Sequence, residues 1–240
     1  MGMRTETSTP SVLITGANRG LGLEFTRQYL AAGWHVIACC RRPHAVAELR
    51  DLAKHFDNLS IHALDLCNFT EIDHLAKALT DTKLDLLINN AGIYGGELAN
   101  RFGSLDYELW QNVLRVNTLA PVKMAETFLP HLTRGRGKKL VVGITSLMGS
   151  IADNSSGGAI ACRSSKAALN AALKSLAIDL KPRGIGVLIL YPGWVRTDMG
   201  GPGAPILPEE SVRSMRHLID QFTPKLSGRF LDFRGRELPW

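Results

Sequence analysis

Three glycines, at 16, 20 and 22, fall within the run Thr15-Gly16-Ala17-Asn18-Arg19-Gly20-Leu21-Gly22. At this spacing each glycine has a distinct physical use. One makes a tight turn, one lets backbone approach a pyrophosphate, and one allows a helix to pack closely on a strand. An apolar, β-branched run (12–15) precedes the turn and an amphipathic stretch follows it. A helix starting there would offer unpaired N–H groups and the positive end of its dipole to an anion. As the first strand, turn and helix of an alternating α/β pattern, the segment reads as a dinucleotide cradle.

About 20 residues further on, an enzyme selecting NAD would place a carboxylate against the ribose 2′-hydroxyl. This chain has Cys39-Cys40-Arg41-Arg42 instead. A carboxylate repels a 2′-phosphate, whereas guanidinium groups pair with it bidentately. Arg41 and Arg42, with Arg19 as a further cation inside the turn, point to NADP(H) in preference to NAD(H). The alternative is that all three arginines are solvated surface.

The elements that must hold this turn follow from alternating patterns. Strands are expected at 12–15, His35–Cys40, Leu59–Ala63, 84–89, 139–145, 186–190 and 229–232. Helices are expected around 20–32, 44–56, 69–79, 105–132, 158–181 and after Pro208, with Pro121 bending the fourth. The strands are continuously apolar rather than alternating, as in a sheet covered on both faces. The expectation is one Rossmann-type domain over 10–240, a doubly wound parallel sheet of about seven strands flanked by helices on both faces. Residues 1–9 read as a loose tail. The breaker-rich stretch 200–208 reads as a mobile loop that could cover a ligand.

Composition narrows the function classes. Of 240 residues, 45% are hydrophobic and 21% charged, ordinary for a globular protein with a sizeable core. No apolar run approaches the roughly 18 residues of a membrane span, and the first residues lack a signal-peptide core, so a cytoplasmic protein is expected. Four cysteines and seven histidines show no ligand spacing, and no metal is expected. The net charge of +6 is densest at Arg134-Gly135-Arg136-Gly137-Lys138-Lys139, which reads as a solvated turn. No aromatic residues interleave with it to stack bases, so no nucleic-acid partner is expected.

Further motifs appear in order: Asp65 after the third strand, Asn89-Asn90-Ala91-Gly92 at the end of the fourth, Asn117 in the fourth helix, Ser146 after the fifth strand, and Tyr191-Pro192-Gly193-Trp194-Val195-Arg196-Thr197-Asp198 after the sixth. With the TGxxxGxG turn, they make the chain resemble the short-chain dehydrogenase/reductase family over essentially its whole length. The ending from Ser227 to Trp240 further resembles the branch of C-factor and sniffer-type carbonyl reductases. The resemblance implies that Asp65 and Leu66 hold adenine, that Asn89, Ala91 and Gly92 support the cofactor, and that Pro192, Gly193, Val195 and Thr197 cradle the nicotinamide end. It also implies that Ser146 hydrogen-bonds the substrate oxygen, that Lys166 binds the nicotinamide ribose and lowers a neighbouring acid's pKa, and that Asn117 anchors a proton-relaying water. A homodimer or homotetramer acting on a small-molecule substrate is likewise implied.

One position departs. The family carries Tyr-x-x-x-Lys on its fifth helix, one turn apart on a shared face; here the run is Cys162-Arg163-Ser164-Ser165-Lys166. A thiol beside Lys166 is expected to have a depressed pKa, yet its sulfur ends far short of a phenol oxygen. Cys162 is therefore either an atypical acid or a group that packs against the cofactor. Tyr94 and Tyr191 lie where substrate would collect, while Tyr29 and Tyr107 read as structural. Two functions stay open: an NADP(H)-dependent oxidoreductase acting on a carbonyl, an alcohol or a C=C bond with an atypical proton donor, and a cofactor-binding homologue with a regulatory or scaffolding role. Fluorescence titration checks the cofactor reading, with NADPH expected to bind at least about tenfold more tightly than NADH and Arg41→Ala to narrow the gap.

Overall fold

The computed structural model describes residues 9–96 and 101–240. The expected tail up to residue 8, and 97–100 of the loop after the fourth strand, lie outside the described residues. Seven strands form one wholly parallel sheet: β1 Ser11–Thr15, β2 His35–Cys40, β3 Leu59–Ala63, β4 Leu86–Asn89, β5 Leu140–Ile144, β6 Gly186–Tyr191 and β7 Phe230–Asp232. Their order is β3-β2-β1-β4-β5-β6-β7. The order reverses between β1 and β4, and the crevice at such a switch point is where open α/β sheets bind ligands.

The apolar runs explain the layers. Successive strand residues face opposite sides, and here both sides are covered. Leu13, Ile37, Leu87, Val141, Val187 and Ile189 pack against α3 (Phe69–Ala78), α5 (Ala120–Thr127) and α7 (Ile160–Asp179). Val12, Ile14, Val36, Leu86, Val142 and Leu188 pack against α1 (Gly20–Ala31), α2 (Ala47–His55) and α8 (Pro208–Asp220). Gly143 lets α7 lie directly on β5, since a Cβ there would meet a Leu173 methyl at 2.2 Å.

The helix expected over 105–132 is broken. It comprises α4 (Tyr107–Leu114), a π-helical turn Arg115–Leu119, α5, and a short α6 (Leu129–Thr133). In a regular α-helix residue 121 would donate to the carbonyl of Asn117, and proline has no N–H to give. The ladder widens just ahead of Pro121, and single π turns of this kind recur at functional sites. The breaker-rich stretch 200–208 folds into an ordered loop. The segment is tied to itself by Arg196 N–H on Ile206 O (2.8 Å), Ile206 N–H on Trp194 O (3.3 Å) and Trp194 Nε1 on Gly200 O (2.8 Å), and it buries Ala204.

At the amino edge of the sheet, Asp85 is a buried carboxylate that joins three segments. Its oxygens accept N–H groups of Ser11 (2.9 Å), Arg136 (2.7 Å) and Gly137 (2.7 Å). The basic turn is thereby fixed on the edge opposite the glycine turn. Asp85→Ala would strand these donors and lower stability by about 3 kcal/mol; thermal unfolding should show a midpoint about 6–12 °C lower.

Candidate active site

The glycine turn joins the end of β1 to α1. Gly16 (φ +66°) and Gly20 (φ +52°) adopt left-handed backbone, which a side chain would strain. Gly22 has ordinary backbone, but a Cβ there would lie 2.1 Å from Gly16 O and 2.6 Å from Asn90 Nδ2. The turn is pressed against the end of β4. Thr15 Oγ1 accepts the N–H groups of Asn90 and Ala91, both at 3.1 Å. Asn90 Nδ2 donates in return to Thr15 O (2.9 Å) and Gly16 O (3.3 Å). Asn89 is buried and donates to Pro121 O (3.2 Å), tying β4 to the start of α5. The sequence pattern places Thr15 and Asn90 inside the two motifs but gives no sign that they bond to each other.

On the β2–β3 side, Ala17 N–H donates to Cys39 O (3.1 Å), seating the turn beside Arg41 and Arg42, which are both exposed. Asp65 Oδ1 accepts from Cys67 N–H (2.9 Å), and Leu66 is buried. On the other side, the β6–α8 loop leans over the turn. Thr197 lies 3.2 Å from where a Gly20 Cβ would be, Val195 is buried, and Ser211 Oγ donates to Pro192 O (2.6 Å). Gly193, at φ +85°, packs against Ile206 and Phe233. Arg19 Nη1 bonds Asp198 Oδ2 at 2.7 Å, so this guanidinium contacts the β6–α8 loop. Both partners are exposed, and the pair is worth at most about 1 kcal/mol.

Asn117 and Lys166 meet at Gly92. A Cβ on Gly92 would stand 3.3 Å from Asn117 Oδ1 and 3.5 Å from Lys166 Nζ. Asn117 is fully buried in the π turn. Its Oδ1 accepts Ile93 N–H (2.9 Å), while its Nδ2 donates to Ile93 O (2.9 Å) and Ser165 Oγ (3.0 Å). Both amide N–H groups are therefore used, and among the described residues Oδ1 accepts this one hydrogen bond. Lys166 donates to Ile144 O at 2.9 Å. Its side chain keeps part of its surface open at the cleft, but dense protein around the ammonium lowers its pKa to about 8.

Ser146 begins a 3-10 turn at the end of β5, and its Oγ accepts Met148 N–H at 3.2 Å. The hydroxyl proton of a group that accepts there is still available to donate elsewhere. Asn170, one helical turn after Lys166, fastens this segment to α7. It accepts from Thr145 Oγ1 (2.7 Å) and donates to Gly149 O (3.3 Å). The spacing i, i+4 from Lys166, on an otherwise apolar face, was the available signal for it.

Cys162 is 7% exposed. Burial raises its pKa, outweighing the opposing charges of Lys166 and Arg163. The expectation of a depressed pKa is overturned, because desolvation of the thiolate exceeds the attraction of a cation one turn away. Tyr191, at the end of β6, also has a raised pKa, from burial and then from the carboxylates of Asp153 and Asp232. Tyr94 is half-buried just beyond β4, Tyr29 is fully buried on α1 beneath Arg216, and Tyr107 is exposed. No described helix is long and apolar enough to cross a membrane.

The short chain dehydrogenase family model matches residues 10–204. C-signal of Myxococcus xanthus is 46% identical over 157 residues, which cover 65% of this chain and 93% of that protein. The carbonyl reductase Sniffer of D. melanogaster superposes with a TM-score of 0.91 at 36% identity, covering 97% of this chain and 100% of the other. An NADPH-bound carbonyl reductase from chicken fatty liver gives a TM-score of 0.89 at 35% identity, covering 97% and 99%. The close approach of Gly22 to Gly16 O supplies a direct check. Gly22→Ala has nowhere to put its methyl against Gly16 O, and isothermal calorimetry should find NADPH affinity reduced roughly a hundredfold.

Proposed function

The chain belongs to the short-chain dehydrogenase family, and we propose that it is an NADP(H)-dependent oxidoreductase whose Lys166 delivers the proton that a phenol would otherwise supply. The substrate is a small carbonyl compound, the corresponding alcohol, or a C=C bond. The observation that carries this reading is the meeting of Lys166 and Asn117 at Gly92, directly beyond the glycine turn. The residues fit a dinucleotide: at the switch point of the sheet Gly16 and Gly20 hold a left-handed turn between β1 and α1, with exposed Arg41 and Arg42 beside it.

In this reading Asn18, Gly20 and Leu21 would hold the pyrophosphate, and Arg41 and Arg42 would pair with the 2′-phosphate. Asp65 and Leu66 bound the adenine, Asn89, Ala91 and Gly92 support the cofactor, and Pro192, Gly193, Val195 and Thr197 bound the nicotinamide. When bound, NADPH supplies the hydride. Ser146 Oγ–H donates to the substrate oxygen where negative charge develops. With the hydride and its electron pair supplied by the bound cofactor to the carbonyl carbon, the substrate oxygen would take one proton from the Lys166 ammonium through a water. Neutral Lys166 regains a proton from solvent by way of a water on Asn117 Oδ1.

An ammonium with a pKa near 8 suits this role, since it is charged at neutral pH and yields its proton readily. Cys162, kept as a thiol by burial, fills space beside it. The same thiol at the phenol's position favours a second reading, a homologue that binds cofactor for regulation without turnover. The enzyme reading goes with a cytoplasmic homodimer or homotetramer.

Spectrophotometry with NADPH and a panel of aldehydes, ketones, quinones and enones separates the two. Oxidation is expected, with kcat/KM falling as pH rises through about 8, where Lys166 loses its proton. Lys166→Met should lower the rate at least about a hundredfold, and Cys162→Tyr should raise carbonyl reduction roughly tenfold or more. NADPH binding without turnover on any substrate supports the second reading.

A further inference from the structure

The segment carrying Ser146 is held from two directions. On one side α7 grips it through Asn170. On the other side stands a residue 90 positions away from Ser150. The backbone oxygen of Trp240 accepts three hydrogen bonds: from Ile151 N–H (2.6 Å), Ala152 N–H (2.9 Å) and Ser150 Oγ (3.1 Å). Ser150, 1% exposed, accepts Asp153 N–H in turn at 3.0 Å. The 3-10 turn after Ser146 is closed by Gly149 N–H on Ser146 O and Ser150 N–H on Leu147 O, both at 2.9 Å. Ser146 is thus four residues and one turn of helix from this clamp.

The segment leading to Trp240 is rigid enough to serve as an anchor. It folds back on β7 through Leu238 N–H on Phe230 O and Asp232 N–H on Arg236 O, both 2.9 Å. The buried Asp232 carboxylate gathers Arg234 N–H, Arg236 N–H and Arg236 Nε, at 2.9, 2.9 and 2.7 Å. The Trp240 ring rests on buried Phe230, with centroids 5.6 Å apart. Within the Trp240 grip the chain presents Ile151, a large apolar side chain that is 78% exposed although its own N–H is fixed.

We propose that Trp240 is a positioning residue for the substrate side of the site: seated on Phe230, it fixes the turn at 150–152 and with it the placement of Ser146 and Ile151. The proposal rests on the reading of the Ser146 segment as part of the active site. Trp240 touches no reacting atom. It acts by removing the freedom of a loop that must present a hydroxyl to a substrate oxygen, and misplacement of such a group by about 1 Å is costly.

Hydrogen exchange and steady-state kinetics on the full chain test this together. In Trp240→Ala and in Ser150→Ala, the amides of Ile151 and Ala152 should exchange about tenfold faster. kcat and kcat/KM for the substrate being reduced should fall together about tenfold, and NADPH affinity should stay within about twofold. Trp240→Phe, which keeps an aromatic ring on Phe230, should restore both readouts. The double variant should be no worse than the worse single one, because both break one clamp. Unchanged exchange at 151 and 152 in Trp240→Ala would overturn the proposal, as would additive singles or a parallel loss of NADPH affinity. If no substrate is turned over, the functional reading has failed and the exchange rates alone decide whether the clamp exists.

Discussion

The Thr15 hydroxyl receives two backbone N–H groups from the strand beside it, and the carboxyl edge of the sheet is organised around that junction. It sits where the strand order reverses, so β1 and β4 lead their following chains away to opposite faces. The gap between them would be an ordinary crevice without the second constraint, the contact of Gly22 with Gly16 O. Together they fix the distance between the start of α1 and the Asn90–Ala91 segment. Every other group at the site is placed relative to that fixed pair.

The polar groups then build outward without leaving the protein interior wet. Asn89 reaches α5, Asn117 reaches α7 through Ser165, and Asn170 reaches back from α7 to β5. Three buried asparagines thus link the elements of the centre through hydrogen bonds to backbone or side-chain partners. Buried amides repay such satisfaction with rigidity. Lys166 differs from them. Its ammonium has one fixed bond, to Ile144 O, in surroundings that favour its neutral form. A group held that way sits close to the balance between charged and neutral, where a proton moves easily.

Cys162 and Lys166 occupy the same helix face and meet the same burial with different consequences. Desolvation raises a thiol pKa and lowers an ammonium pKa, since in each case it disfavours the charged form. The pair therefore moves toward a neutral thiol beside an amine that titrates near neutrality. Spacing alone predicts the opposite for the cysteine, because it counts the nearby positive charge and cannot count the protein packed around the sulfur.

Local chemistry was sufficient for much of the molecule. The glycine positions, the continuous apolar strands and the breakers between them specify the parallel sheet and its cradle, because each depends on the conformational range and polarity of a few consecutive residues. Pro121 announces a bend for the same reason. What the chain could not show is how segments distant in sequence meet. Only the fold puts Asn117 in a π turn against Ile93, pairs the exposed Arg19 with Asp198, ties down the glycine-rich 194–206 segment, and brings Trp240 onto the turn after Ser146. These are sums over neighbours contributed by separate elements, and burial, which decides the protonation of Cys162, is the same kind of sum. The turn between β1 and α1 was written in the spacing of its glycines; the state of the groups facing it was decided by tertiary packing.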